Sequence, residues 1–131
     1  MTKAEMAEKA WRHGFKGDFS IVDRIFHQTK FKAFDQGAIY NGLVVDLDTM
    51  KTIWLSLSEF AILGPFRTIY ENDDFLCMHM LRKYRENIPR FQATIVHLKY
   101  ESDLIIHSEV IGQELDYDPS EGQGWNWEDY E

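Results

Sequence analysis

The order of the sequence patterns constrains this chain more than any other single feature. Apolar residues recur at helical spacing through most of residues 1–61, interrupted by a short hairpin signal at 31–40. Four strand-like runs follow, parted by turn clusters, at 66–71, 75–85, 90–100 and 104–115. In one small domain, helices followed by consecutive strands predict an α+β fold in which the helices pack across an antiparallel sheet.

Three helices are predicted from the signals at their ends. Thr2-Lys3-Ala4-Glu5 is a capping-box pattern, so the first helix should begin there and run to about His13. A second helix should open at Asp18, and the two would form a helical hairpin. The third and longest should run from about residue 46 or 48 to 61, where Gly64-Pro65 would end it.

Composition limits the size of the fold and its partners. At 131 residues, of which 44% are hydrophobic, the chain has material for one core. We predict a single domain at 1–115 and an acidic, aromatic tail at 116–131. Residues 113–131 carry seven acids and no Lys or Arg, which leaves 15 acids against 14 bases elsewhere. A nearly neutral body without a basic stripe predicts no binding to nucleic acid or to a membrane surface.

The expected compartment is the cytoplasm. No apolar run approaches the roughly 18 residues of a membrane-spanning helix. The first residues mix Lys and Glu with Ala and Met, which is unlike the apolar core of a signal peptide. Cys77 is the only cysteine, so no disulfide can form within the chain.

The tail combines acids with aromatic rings. Trp125, Trp127 and Tyr130 fall within six residues, a density that is uncommon in disordered segments. We therefore predict that at least one of the two indoles packs on the body of the protein or on a partner subunit.

The later strands are apolar on both faces. In the run at 75–85, one face would carry Phe75, Cys77 and Leu81, and the other would carry Leu76, Met78 and Met80. The helices can cover only one face of the sheet. A second copy of the chain is the simplest cover for the other face, so we predict a homodimer formed through the sheet, with charges at Met78 or Met80 as its test.

This arrangement resembles the nuclear transport factor 2-like superfamily, also called cystatin-like or SnoaL-like. The local marks are Gly17-Asp18 followed by the run Phe19–Phe26, then Phe34-Asp35-Gln36-Gly37 and Tyr40-Asn41-Gly42, and the likeness covers residues 1–115. The resemblance implies a cone-shaped, curved antiparallel sheet wrapped around a long helix, with an N-terminal helical hairpin. Members of the superfamily include isomerases, polyketide cyclases, dehydratases and proteins without catalysis, so the fold alone does not select a function.

Asp35 is the first candidate for catalysis. The resemblance places near this point the carboxylate that serves as general base in ketosteroid isomerases. Asp-Gln-Gly is equally a plain turn in which the aspartate caps its own backbone, and both interpretations stay open. The isomerases' oxyanion-holding Tyr and neutral Asp would fall near Ala10 and Val96, so their full mechanism is not expected here.

Three histidines on the predicted strands are the second candidate. A three-residue turn at 101–103 would set His97 opposite His107, and a similar register in the preceding hairpin would set His79 opposite His97. Such a cluster could pass protons, or its members could be ordinary core or interface histidines. No helical His-x-x-x-His is present, and no metal or cofactor is predicted.

The predicted function is the binding of a small, largely apolar molecule in a pocket between sheet and helices. Trp11, Tyr40 and Trp54 are the predicted ligand contacts. Acid/base chemistry on a carbonyl or hydroxy compound by Asp35 or the histidines is one hypothesis. A non-catalytic binding or dimerisation module is the other.

Overall fold

The computed structural model describes residues 1–35 and 42–131. Its helices are α1 (Lys3–Gly14), α2 (Ser20–Ile25) and α3 (Leu47–Ser58). The capping box of α1 is confirmed, because Thr2 Oγ1 accepts from the Glu5 N–H at 3.1 Å and the Glu5 carboxylate accepts from the Thr2 N–H. The Asp46 carboxylate caps α3 by accepting from the Thr49 N–H at 2.9 Å.

The described strands form one six-stranded sheet. They are β1 (Lys32–Asp35), β2 (Leu43–Val45), β3 (Ala61–Glu71), β4 (Phe75–Tyr84), β5 (Arg90–Glu101) and β6 (Leu104–Leu115). Their order across the sheet is β2-β1-β6-β5-β4-β3. The predicted α+β fold, with a helical hairpin and a curved sheet, is confirmed.

One pairing departs from the predicted antiparallel sheet. β1 runs parallel to β6, so the sheet is mixed, while β3 to β6 form the predicted antiparallel meander. Hairpin turns set the relative direction only of strands that are neighbours in sequence. No turn joins β1 to β6, so the sequence pattern contained no signal for their relative direction.

The predicted boundary at Gly64-Pro65 is wrong. α3 ends at Ser58, and β3 begins at Ala61, five residues earlier than predicted. β3 is an edge strand, where a proline is tolerated because its missing N–H faces outward. The register shifts between Leu63 and Phe66, so Gly64 and Pro65 form a bulge instead of a helix stop.

The core lies between the helices and one face of the sheet. Met78 and Met80 of β4 point into it and are almost fully buried. The opposite face of the sheet, here called the outer face, carries Cys77 and Leu81, which are only half-buried. The proposed charge test at Met78 or Met80 therefore addresses the core and would not report on a dimer interface.

The segment after β6 folds back on the sheet. Residues Trp127–Tyr130 form a 3-10 helix beside β3. Trp127 is only 3% exposed, which confirms the prediction that an indole of the tail packs on the body. Within the described ranges, no helix is both long enough and apolar enough to cross a membrane.

Candidate functional site

An interior pocket lies between α1, α3 and the end of the sheet formed by β2, β1 and β6. Its volume is about 40 Å³, which is room for a few water molecules. Much of its wall is apolar, contributed by Ala33, Leu43, Val45, Met50, Ile53 and Val110. Such a wall favours a small ligand with an apolar body.

Three of the predicted site residues meet at this pocket. They are Trp11 from α1, Asp35 from β1 and Trp54 from α3. The rings of Trp11 and Trp54 lie 4.8 Å apart. Trp54 reaches the interior because α1 has no side chain at Gly14, where a Cβ would lie 2.5 Å from Trp54 Cε3. Tyr40, the remaining predicted ligand contact, lies outside the described residues.

Two buried polar atoms in the pocket wall have no hydrogen-bond partner in the described part of the chain. They are Trp11 Nε1 on α1 and Ser108 Oγ on β6, and each residue is 1% exposed. Leaving a buried donor or acceptor unpaired costs about 1–3 kcal/mol. The pocket therefore offers an N–H donor and a hydroxyl to a ligand or to a water molecule.

Ser108 was not among the predicted site residues. A signal for it was present, since it is a small polar residue two positions before Val110, on the strand face that turns toward the core. In the parallel pairing of β1 with β6, Ser108 stands beside Ala33, and Asp35 stands beside Val110. Asp35 and Ser108 thus lie on neighbouring strands and line the same pocket.

The three strand histidines lie on the outer face, away from this pocket. His97 stacks on Phe75 with ring centroids 5.4 Å apart, and His107 stacks on Phe34 at 4.7 Å. Burial, with the nearby Arg67 guanidinium as a smaller cause, lowers the pKa of His79 below its usual 6.5. The structure therefore separates the histidines from Asp35, and a catalytic role for them stays a prediction.

The predicted histidine pairings are wrong. His97 pairs with Cys77 and Glu109, His79 pairs with Ile95, and His107 pairs with Lys99. The turn between β5 and β6 has two central residues instead of three, since Glu101 pairs with Leu104 and a register shift follows at Lys99. Both registers differ from the prediction by two residues, so the histidines share a face but meet only diagonally.

The described residues of the outer face support neither a metal site nor a cysteine nucleophile. Across residues 1–35 and 42–131, no group of three His, Cys, Asp or Glu side chains could hold a metal ion. Burial raises the pKa of the Cys77 thiol, which keeps it protonated although His97 is its cross-strand neighbour. The interior pocket is therefore the better candidate site.

Comparison with known proteins identifies the fold. No protein-family model and no curated protein sequence matches the chain. A candidate isomerase from Rhodopseudomonas palustris matches in structure with a TM-score of 0.71 and 6% identity, over 86% of this chain and 90% of that one. IdmH, a candidate polyketide cyclase from Streptomyces antibioticus, matches with a TM-score of 0.67 and 9% identity, over 86% and 93%.

A third solved structure belongs to a protein described by its fold. A nuclear transport factor 2-like protein of unknown function from Cytophaga hutchinsonii has a TM-score of 0.63 and 16% identity, and the match covers 83% of this chain and 97% of that one. Identities this low establish a shared fold and not a shared activity. The chain therefore has the nuclear transport factor 2-like fold, also called SnoaL-like or cystatin-like.

Proposed function

We propose that this protein binds a small carbonyl or hydroxy compound in the interior pocket. The observation that supports this most directly is the pair of buried, unpartnered polar groups, Trp11 Nε1 and Ser108 Oγ, in the wall of one pocket. A ligand oxygen that accepts from the indole N–H removes the free-energy cost of the unpaired donor. The apolar wall then holds the hydrocarbon part of the ligand.

Asp35 adds a group that can move a proton. A carbonyl oxygen held by Trp11 and Ser108 has its developing negative charge stabilised, which makes the hydrogens on the adjacent carbon more acidic. The Asp35 carboxylate in the same wall is the base that would take such a proton. The candidate isomerase and polyketide cyclase among the structural neighbours agree with this chemistry at the level of fold alone.

A non-catalytic binding protein is the second candidate. It is favoured by Ala10 and Val96, which occupy the positions where the resemblance implies hydrogen-bond donors for catalysis. Both are apolar and fully buried. In this alternative the polar groups of the pocket orient a ligand and no bond changes.

Binding can be tested with acetone, the smallest ketone. In a protein labelled with ¹⁵N, the indole N–H of Trp11 is assigned by its loss in Trp11→Phe, and acetone should shift this signal more than the other indole signals. Ser108→Ala should weaken acetone binding about threefold to tenfold. Ser56→Ala is the matched control, because the Ser56 hydroxyl bonds the Ile53 carbonyl on the exposed side of α3.

The same sample distinguishes an enzyme from a non-catalytic binding protein. In deuterated water, an enzyme with Asp35 as base would catalyse exchange of the acetone hydrogens, and Asp35→Asn would abolish that exchange while the Trp11 shift persists. Binding without exchange supports the non-catalytic alternative. An unchanged Trp11 signal, with equal results for Ser108→Ala and Ser56→Ala, would contradict the proposed pocket.

We also propose that a second copy of the chain covers the outer face. The helices lie on the other side of the sheet, and Trp127 of the tail packs beside Gly64 of β3 and Phe91 of β5. Near β6 the outer face keeps Ile111 50% exposed in the single chain. Burying such apolar surface against a twofold-related copy is favourable.

A further inference from the structure

A second cleft opens on the other side of α1. Its volume is about 170 Å³, and it lies between the C-terminal ends of α1 and α3, the start of β3 and the end of the tail. Phe15, Ile62 and Tyr130 give it apolar walls, and Arg12, Lys16 and Arg85 give it positive charge. Among the described residues that line it, Glu131 is the one acid.

Arg12 is a fixed part of this cleft. Its guanidinium donates to the Leu63 carbonyl at 2.9 Å, the Gly64 carbonyl at 2.8 Å and the Glu8 carboxylate at 2.9 Å. It also lies 5.0 Å from the ring centroid of Tyr130. Arg12 thus fixes one wall and contributes charge, and three of its five N–H donors are engaged by these acceptors.

Two other cations are available to a ligand. The Lys16 ammonium has no hydrogen-bond or ion-pair partner within the described residues. Arg85 donates one N–H to the Glu59 carbonyl at 3.2 Å, and its other terminal nitrogen lies 3.9 Å from the Glu131 carboxylate. Because 3.9 Å is too long for a hydrogen bond and both side chains are about half exposed, the pair is weak and can be displaced.

Cations outnumber acids among the described side chains that line this cleft, although the whole protein is acidic. The chain carries a net charge of −8, whereas the described lining includes Arg12, Lys16 and Arg85 with Glu131, and Glu8 outside the lining pairs with Arg12. A fourth cation, Arg82, lies behind the wall, with its guanidinium 5.2 Å from the Phe15 ring centroid. Such a concentration of one sign of charge in a cleft attracts anions.

We propose that this cleft binds a small organic carboxylate, and that the Glu131 side chain occupies the carboxylate position until the ligand arrives. Arg85 and Lys16 recognise the charged group, and the apolar walls at Phe15, Ile62 and Tyr130 hold the hydrocarbon body. The site is separate from the interior pocket and does not depend on the function proposed for that pocket.

The test uses benzoate, followed by isothermal titration and by the amide signals of Ser58 and Ile62 on the full chain. Benzyl alcohol has a similar body without the charge, and inorganic phosphate has charge without the body. Benzoate should bind more tightly than both. Arg85→Gln and Lys16→Gln should each weaken benzoate binding about fivefold. Glu131→Gln should strengthen it about as much, because the competing carboxylate is removed.

Arg67→Gln is the matched control, since Arg67 is an exposed cation on β3 away from the cleft, and it should leave benzoate binding unchanged. Lys16 has no hydrogen-bond or ion-pair partner in the described part of the chain, so Lys16→Gln stays informative even where Arg85→Gln lowers stability. Absent binding, equal binding of benzoate and benzyl alcohol, or equal binding of phosphate would each overturn the proposal. Weaker binding by Glu131→Gln, or shifts at the Trp11 indole in place of Ser58 and Ile62, would overturn it as well.

Discussion

The indole of Trp127 occupies the space that a side chain at Gly64 would fill. A Cβ built on Gly64 would lie 2.8 Å from Trp127 Cζ3 and 3.1 Å from the Leu81 carbonyl oxygen. The glycine in the bulge of β3 thus lets the tail lie flat on the edge of the sheet.

Gly64→Ala should therefore destabilise the fold by about 1–3 kcal/mol, because the added methyl group forces the indole away. Urea unfolding gives the change in free energy. In a Trp127→Ala background, the new methyl group at residue 64 meets open space where the indole was. The loss in free energy of unfolding caused by Gly64→Ala should then fall by at least about half. Equal costs in both backgrounds would show that Trp127 is not what makes residue 64 sensitive.

Asp118 should stabilise the tail through its charge. Burial acts to raise the pKa of Asp118, but the hydrogen bonds from Trp127 Nε1 and Ser120 outweigh it and hold the pKa below the usual 3.8. Asp118→Asn should lower the free energy of unfolding by about 1 kcal/mol at pH 7. Asp116→Asn, an exposed neighbour, should leave it unchanged.

The sign of the pH effect follows from the lowered pKa. The contribution of the Asp118 charge is complete above pH 3.8 and is lost as the pH falls through the lower, folded-state pKa. The difference in stability between the native chain and Asp118→Asn should then disappear under acid conditions. A difference that stays constant from pH 7 to acid would mean that the charge plays no part.

Ile111 provides the test of the proposed dimer. Ile111→Lys places a charge in the centre of the outer face, and a charge buried in an apolar contact is strongly unfavourable, so the dimer should dissociate. Sedimentation should give twice the chain mass of 15.5 kDa for the native protein and the single mass for the variant. Ile88→Lys is the control, because Ile88 is 81% exposed in the loop between β4 and β5. A native chain that sediments as a monomer at all concentrations contradicts the dimer.

His79 should make the protein less stable as the pH falls. Its lowered pKa means that the folded chain favours the neutral ring, whereas the unfolded chain binds a proton near the usual pKa of 6.5. Stability from the neutral ring is present above pH 6.5 and is lost as the pH falls through the folded pKa. Urea unfolding at pH 7.5 and 5.5 should show a smaller decline for His79→Gln than for the native chain, and an equal decline would contradict this role.

Local signals in the sequence were sufficient for several elements. The capping box at Thr2 and Glu5 marks the start of α1, and the bounds of β6 coincide with the predicted run at 104–115. These features depend on residues within a few positions of one another, and the energies that decide them are local. Trp11 and Trp54 are two of the predicted ligand contacts, and both line the interior pocket.

The register between paired strands and the element to which a turn signal belongs are harder to predict. One residue more or less in a turn or a bulge shifts the pairing of every later residue. The two-residue turn before Leu104 and the register shift at Lys99 each move the pairing by one residue, and together they set His97 opposite Glu109 instead of His107. The bulge at Gly64-Pro65 was misread as a helix stop, because glycine and proline signal an interruption without saying which element they interrupt.

The sequence by itself determined the α+β class, the succession of helices and strands, and the apolar stripes that build the core, since all three follow from spacing along the chain. Only the tertiary structure decided the parallel contact of β1 with β6, and with it the meeting of Asp35 and Ser108 with Trp11 around one pocket. Ser108 lies 97 positions from Trp11 in the sequence. Contacts between such distant residues depend on how whole elements pack, and local spacing carries no information about that packing.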